Sequence, residues 1–258
     1  MLTSLREIIR YRSLLRALVA RELKVRYKRS FFGIAWTMLH PLMMMLVFTL
    51  VFAEVLKVPV EHFTVFFMSA YLLWNFVAQT TSWSAGGLLG YAPLMRKVYV
   101  PKAVFVIATV AAGLVNLVIS LVPLAILMLV VHHPMRPSLA FLPVSMLLAA
   151  VFALGVSLLL APLSILFADI VPIYQIVLTA WLYLTPVMYT VELVPARYRP
   201  LVDWNPMTYF VELFRAPIFH GHVPSASTLG AASAFALAAL VLGWTVFDRY
   251  SDRVAYHV

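Results

Sequence analysis

The sequence contains no cysteine, which excludes disulfides, Cys-ligated zinc and thiol catalysis. Acidic residues are scarce too, ten Asp and Glu against nineteen Lys and Arg. Charge of both signs together makes up only 11% of the 258 residues, where a soluble domain carries about 25%. No GxxxxGK[ST], HExxH or GxSxG occurs, so a P-loop nucleotide site and the commoner zinc-protease and hydrolase centres are excluded. The acids Glu54, Glu61, Asp169, Glu192, Asp203 and Glu212 fall near the ends of apolar runs. None sits mid-run, where a proton- or sodium-coupled carrier or an intramembrane acid–base enzyme needs one.

What is present is apolar sequence, 64% of the chain. Several runs reach the ~20 residues that cross ~30 Å of hydrocarbon as a helix, and the ~10-residue alternating segments of a membrane β-barrel are missing. The fold class is therefore all-α integral membrane. A net charge of +9 would suggest nucleic acid in a soluble protein. Here the cations flank apolar runs, where the positive-inside rule and anionic lipid account for them, and no nucleic-acid partner is expected. A cleaved signal peptide is not expected either, because Arg10, Arg12, Arg16 and Arg21 interrupt any short apolar core near the start.

In chain order, residues 1–30 read as an amphipathic segment in the cytoplasmic interface, with nine of the nineteen Lys and Arg residues before position 30. Leu5, Ile8, Ile9, Leu15, Val19 and Leu23 share one side of a helical wheel, and Arg6, Arg10, Arg21 and Lys24 another. Arg12 and Arg16 fall on the apolar arc, so a break is expected near Tyr11–Ser13, with Ser13 as an N-cap. Residues 31–258 then read as one membrane domain of six spans, at about 33–56, 63–88, 103–131, 139–166, 171–190 and 227–247. Residues 191–225 hold apolar pieces too short to span, which suggests interfacial or re-entrant helices. Six spans with both termini cytoplasmic put fourteen Lys and Arg residues inside and five outside, in keeping with the positive-inside rule. Gly86 and Gly90 have the GxxxG spacing that permits close helix approach or a bend.

Span two is unusually polar, with Asn75, Gln79, Thr80, Thr81, Ser82 and Ser84, and aromatic, with Tyr71, Trp74, Phe76 and Trp83. Polar groups at that depth should face other helices or a water-filled path. Tyr71, Trp74 and Asn75 at i, i+3 and i+4, together with Trp83 and with Trp181, Tyr183 and Tyr189 of span five, are the candidate substrate-channel residues. Aromatic faces stack on sugar rings, so such a path could pass a glycan without reading its sequence. The competing explanation for each residue is an interfacial aromatic belt and helix packing. The pairs His132-His133 and His220-x-His222 lack a nearby acidic third ligand, and no metal is expected.

The run Arg21-Glu22-Leu23-Lys24-Val25-Arg26-Tyr27-Lys28-Arg29-Ser30, followed by Gly33, Trp36 and Pro41, resembles the opening motif of ABC-2 type polysaccharide export permeases. The break Arg96-Lys97-Val98-Tyr99-Val100-Pro101-Lys102 resembles their loop between spans two and three. Thr185-Pro186-Val187-Met188-Tyr189 and Trp204-Asn205-Pro206-Met207 resemble the span-five exit and the external segment after it. The resemblance covers the whole chain and implies a six-span permease subunit of an O-antigen, capsule or teichoic-acid exporter in the bacterial cytoplasmic (inner) membrane. It implies a homodimer, two copies of a separate ABC ATPase that holds the ATP and Mg²⁺, and a polyprenyl-diphosphate-linked glycan as substrate, with no cofactor in this chain. It also implies two external re-entrant helices within 191–225. Arg96, Lys97, Tyr99, Lys102 and Asp169 would lie at the ATPase coupling surface, and Arg21, Lys24, Arg26, Tyr27 and Lys28 on the interface helix. The family often has Arg-Asp between spans four and five, whereas this chain has Ala168-Asp169. The alternatives are an ABC-2 permease for a small lipid or drug, and an integral membrane enzyme acting on lipid-linked sugars, which would need clustered acids or a metal constellation.

Overall fold

Backbone amides in hydrocarbon must find their partners within the segment, and for runs of this length the helix is the solution. The computed structural model describes residues 11–26, 28, 30–57, 60–91 and 101–257, and these contain helices, turns and no strand. Helix α1 covers Arg12–Arg26. Helix α2, Trp36–Thr49, is prolonged by a wider π-type turn through Val55. Helices α3, Phe63–Gly87, and α4, Ala103–Val130, follow. A tight 3₁₀ turn over Pro137–Phe141 leads into α5, Leu142–Leu166, and then comes α6, Ile170–Leu184. The short α7, Arg199–Asp203, precedes α8, Pro206–Arg215, which continues as a π-type turn to His220. The last helix, α9, covers Ala226–His257.

Among the described residues, four segments are long and apolar enough to cross a bilayer: Trp36–Val55, Ala103–Val130, Pro137–Leu166 and Ala226–Tyr250. The chain is thus a multi-pass membrane protein. Helix α3 has the length, 25 residues, but carries the polar set noted above. Helix α6 is apolar but only 15 residues long, shorter than the expected 171–190. Its end has a local cause: Thr185 precedes Pro186 and is extended, φ −95°, ψ 134°, because the proline ring disfavours α geometry in the residue before it. Helix α9 runs past the expected span end at 247 and takes in Asp248-Arg249-Tyr250. Asp169 occupies the N-cap position of α6 without a capping side-chain bond. Helix α1 begins at Arg12, so Ser13 lies inside its first turn rather than at the cap; the other side of the expected break, residues 1–10, lies outside the described residues.

Helix α3 is the hub, packed against α2, α4, α5, α6 and α8. Its first half is buried on every side, and an aromatic column crosses to α2, with Phe48 on Phe67 at 4.9 Å and Phe67 on Tyr71 at 5.0 Å between ring centroids. Its second half is held by polar bonds between helices. Tyr174 of α6 donates to Thr81 Oγ1 at 2.7 Å, Gln175 donates to Ser82 Oγ, and Ser164 of α5 donates to the Ala85 carbonyl. Ser120 of α4 donates to the Thr37 carbonyl of α2 at 3.0 Å, and Ser145 of α5 to the Leu213 carbonyl of α8 at 2.6 Å. In hydrocarbon such bonds contribute roughly 0.6 kcal/mol each and fix helix register.

The closest helix crossing is α5 on α9, and it depends on glycine. A Cβ on Gly243 would lie 1.9 Å from the Gly155 carbonyl oxygen, and one on Gly155 2.3 Å from the Ala239 carbonyl carbon. Backbone meets backbone here, the contact small residues allow between membrane helices. The GxxxG pair Gly86 and Gly90 makes no such approach among the described residues, since a Cβ at either meets none of them within 4 Å. Gly243→Ala should therefore force the two helices apart and lower stability by about 1–3 kcal/mol. Thermal unfolding of the detergent-purified protein checks this against Gly230→Ala, where the added methyl meets nothing and no loss is expected.

Candidate functional site

Two hollows flank the second half of α3, one on each side. The first, about 330 Å³, lies between α2, α3 and α4. Asn75, Gln79 and Thr80 of α3 form one wall, Trp36 and His40 of α2 another, and Gly113, Asn116 and Ser120 of α4 the third. Arg26 of α1 and Trp83 stand at its rim. The second, about 240 Å³ and more open, lies between α3 and α6, lined by Trp74, Ser82, Gln175 and Thr179. Gln79 and Trp83 border both. Helical spacing explains the division, since Asn75 and Gln79 stack one turn apart on one face while Trp74, Ala78 and Ser82 follow the neighbouring one. The Gln79 amide donates to Asn75 Oδ1 at 2.8 Å, which pre-orients both side chains.

At the end of α3 nearest α1, the surface helix is latched to the membrane helices. Leu18 of α1 is buried against Leu88, Tyr91 and the start of α4. The Tyr91 phenol donates to the Glu22 carboxylate. Burial first, and then the Glu22 carboxylate, push that phenol well above its ordinary range, so it stays protonated and remains a donor. The Arg21 guanidinium lies 4.6 Å from the Tyr91 ring centre, and that of Arg26 only 3.2 Å from the Trp83 ring centre, positions that a cation over an indole or phenol face favours. Arg26 also lies 4.0 Å from Glu22. Lys24 and Lys28 are exposed, leaving the outer face of this segment cationic.

At the opposite end, the loop after α6 is tied down by Asn205, the N-cap of α8. Its Oδ1 accepts from the Met207 amide at 3.0 Å and from the Trp181 indole at 2.7 Å, and its Nδ2 donates to Thr185 Oγ1 at 3.0 Å. Arg215 is 4% exposed, donates to the Val187 carbonyl at 3.0 Å and lies 3.8 Å from the Phe66 ring centre. These bonds give the Thr185–Tyr189 and Trp204–Met207 motifs a joint structural purpose, docking the α8 segment onto the exit of α6. The histidine pairs belong to the same end. His133 stacks on Phe219 and reaches the Ile218 carbonyl at 3.2 Å, and His220 stacks on His222. Burial lowers the His220 pKa, favouring the neutral ring.

Of the expected channel residues, Trp74 and Trp181 meet edge to face at 5.8 Å, while Asn75 and Trp83 line the hollows as described. Tyr71 is buried in the aromatic column between α2 and α3 and lines neither hollow. Tyr183 is 62% exposed at the end of α6, and its carbonyl accepts from the Tyr189 hydroxyl at 3.0 Å. Among the expected coupling residues, Arg96, Lys97 and Tyr99, and with them Tyr27 of the interface segment, lie outside the described residues. Lys102 is the residue that precedes α4, at its N-cap position, and Asp169 is exposed at the start of α6. Sequence reasoning did not single out Gln175, Asn205 or Arg215 as working residues. The signal available for Gln175 was a lone amide in the middle of an apolar run, and for Asn205 the Asn-Pro pair that opens a helix.

Comparison with known proteins bears on this arrangement. The family model for ABC-2 type transporters matches residues 13–219. An O-antigen export system permease protein, RfbA, of Myxococcus xanthus is 30% identical over 258 residues, 99% of each chain. An RfbA of Klebsiella pneumoniae is 25% identical over 81% of each chain. The polysialic acid transport protein KpsM of Escherichia coli is 22% identical over 92% of this chain and 93% of its own. From the surface helix through the α8 turn, the described architecture falls within the matched family model, and the chain belongs to the ABC-2 type transporter family.

Proposed function

We propose that this chain is the permease subunit of an ATP-driven exporter that carries a lipid-linked polysaccharide, of O-antigen or capsule type, outward across the bacterial cytoplasmic (inner) membrane. The end-to-end similarity to the Myxococcus export permease, 99% of both chains, carries this reading. The polar and aromatic flanks of α3 support it, because a path for a hydroxylated polymer needs hydrogen-bonding and stacking side chains where lipid tails offer neither. No acid lies mid-span to couple transport to ions, which agrees with a drive supplied from outside the chain. ATP and Mg²⁺ belong on a separate ABC ATPase, two copies per exporter. On this reading the 1–30 segment and the 91–102 loop, with Lys102, face that motor, and Asp169 adjoins it.

Two copies of the permease complete the path. Gln175 and Thr179 are exposed on α6 within an otherwise apolar face that includes Ile173, Ile176 and Val177. An amide turned toward lipid tails is unfavourable, and a second copy enclosing a water-filled groove along α3 and α6 removes that penalty. Helices α3 and α6 then bring the spans to six, with α7 and α8 as re-entrant elements on the outer side and both termini cytoplasmic. The excess of Lys and Arg in the inner segments supports that orientation.

Deleting the gene should abolish surface polysaccharide and leave completed polymer inside the cell, and the wild-type chain should restore export. Normal surface polymer in the deletion strain would sink the proposal. Trp83→Ala combined with Gln175→Leu should restore export about tenfold less well, the scale of losing roughly 1.4 kcal/mol of contact with the moving chain, at normal protein level on immunoblots. Arg96→Glu with Lys97→Glu should reduce co-purification of the ATPase. Full recovery of the complex would count against that loop as a coupling surface. Asn205→Ala leaves the Trp181 indole and the Thr185 hydroxyl without their partner, and should cost about 1–3 kcal/mol, visible as a lower unfolding temperature.

A further inference from the structure

The hollow between α2, α3 and α4 is a different feature from the groove that faces a second copy. It lies between three helices of one chain, and its lining sets polar side chains among apolar ones such as Leu72, Phe76 and Leu117. Asn75, Gln79 and Asn116 supply amides that both donate and accept. The Thr80 residue is 1% exposed, and its hydroxyl has no hydrogen-bond partner among the described residues although it borders the hollow. A buried hydroxyl left in that state costs about 1–3 kcal/mol, which a bound polar group would relieve. Gly113 opposite is what leaves room for it, since a Cβ there would lie 2.2 Å from Thr80 Oγ1. Among the described residues no carboxylate lines the hollow, and its one guanidinium is that of Arg26, held over Trp83 and 4.0 Å from Glu22. That set of groups disfavours a cation and favours an anion that also carries hydroxyls.

We propose that this hollow binds the phosphate-bearing, hydroxyl-rich head group of a lipid lying in the leaflet next to α1. The phosphate sits toward Arg26 at the rim, and hydroxyls or sugar oxygens reach Asn75, Gln79 and Thr80 further in. The volume of about 330 Å³ admits one such head group. The apolar tail leaves between the helices into the bilayer. Two lipids share this chemistry, the polyprenyl-diphosphate-linked sugar end of the transported polymer and a bilayer phosphatidylglycerol. The first of these rests on the export function proposed above.

The test uses the full-length permease in detergent and two probes, a short-chain polyprenyl diphosphate bearing one hexosamine and dihexanoyl phosphatidylglycerol. Tryptophan fluorescence reports on the site because Trp36 and Trp83 line it. At least one probe should bind saturably, and its affinity should fall about tenfold in Asn75→Leu/Gln79→Leu and again in Arg26→Gln, the loss expected for charge-assisted and amide hydrogen bonds. Thr80→Val, which keeps the side-chain shape, should weaken binding without lowering the unfolding temperature, and so guards against a folding defect in the double variant. Preference for the polyprenyl probe identifies the substrate end, and preference for phosphatidylglycerol a bilayer lipid. Binding of neither, or equal binding by wild type and all three variants, overturns the proposal. If export by the wild-type chain is intact in the same cells, that negative result removes this site and leaves the transport function standing.

Discussion

Asn75, Gln79, Thr80, Ser82 and Gln175 lie on helices packed among apolar spans, where a side chain facing lipid would lose its hydrogen bonds to water and gain nothing in return. Most of the fold can be understood as the accommodation of that set. Helix α3 bears four of the five and is placed at the centre, with five other helices around it. Where a polar group can be satisfied by a neighbouring helix it is, as Thr81 is by Tyr174 and Ser82 by Gln175. Where it is not, the packing leaves a hollow rather than an apolar contact. A bundle of Leu and Ile would have closed both hollows, so their persistence reflects the side chains that line them rather than loose assembly.

The same helix carries its influence to the surface. Trp83 borders both hollows and also supports the Arg26 guanidinium, while Tyr91, one short turn beyond the end of α3, binds Glu22 and Arg21 of the same surface helix. A displacement of α1 must break these contacts or drag Trp83 with it, and Trp83 cannot move without altering the mouths of both hollows. A surface helix that began as an orientation signal in composition thereby gains a mechanical connection to the interior. At the far end of the bundle, Asn205 ties the Trp181 indole to the loop in the same economical way, with one side chain serving a helix cap, a tryptophan and a threonine.

The positions of the apolar helices were legible because apolar runs of bilayer length are a strong signal, and four of the six expected segments match a helix within a few residues at both ends, the other two at one end. Helix α6 was overestimated because hydropathy continues through Thr185-Pro186 whereas backbone geometry does not. The polar character of α3 was also legible, down to the prediction that it faces protein or water. The division of that face into two hollows was not, because it depends on which helix lies on which side, and sequence spacing alone does not say whether Asn75 and Trp74 share a neighbour. The glycines mislead for the same reason. Gly86 and Gly90 have the recognised spacing and meet no neighbour among the described residues, while Gly155 and Gly243, 88 residues apart in sequence, bring backbone against backbone. Asn205 and Arg215 stand at the two ends of α8, whose ten residues are too few to span a membrane and so read only as an interfacial or re-entrant piece.

Because Gln79 and Trp83 are shared, the two hollows cannot be independent. A head group seated between α2 and α4 would compete for the Gln79 amide, which otherwise donates to Asn75, and would fix Trp83 through the Arg26 guanidinium above it. Trp83 set in one position gives the α6 side of α3 one width, and Trp83 released gives it another. Occupancy on one side of α3 is thus linked to the shape of the other side, and by reciprocity whatever widens the α6 groove alters affinity in the hollow. Under the lipid-binding proposal, such linkage would let the groove along α3 and α6 respond to a head group bound on the opposite side of the helix.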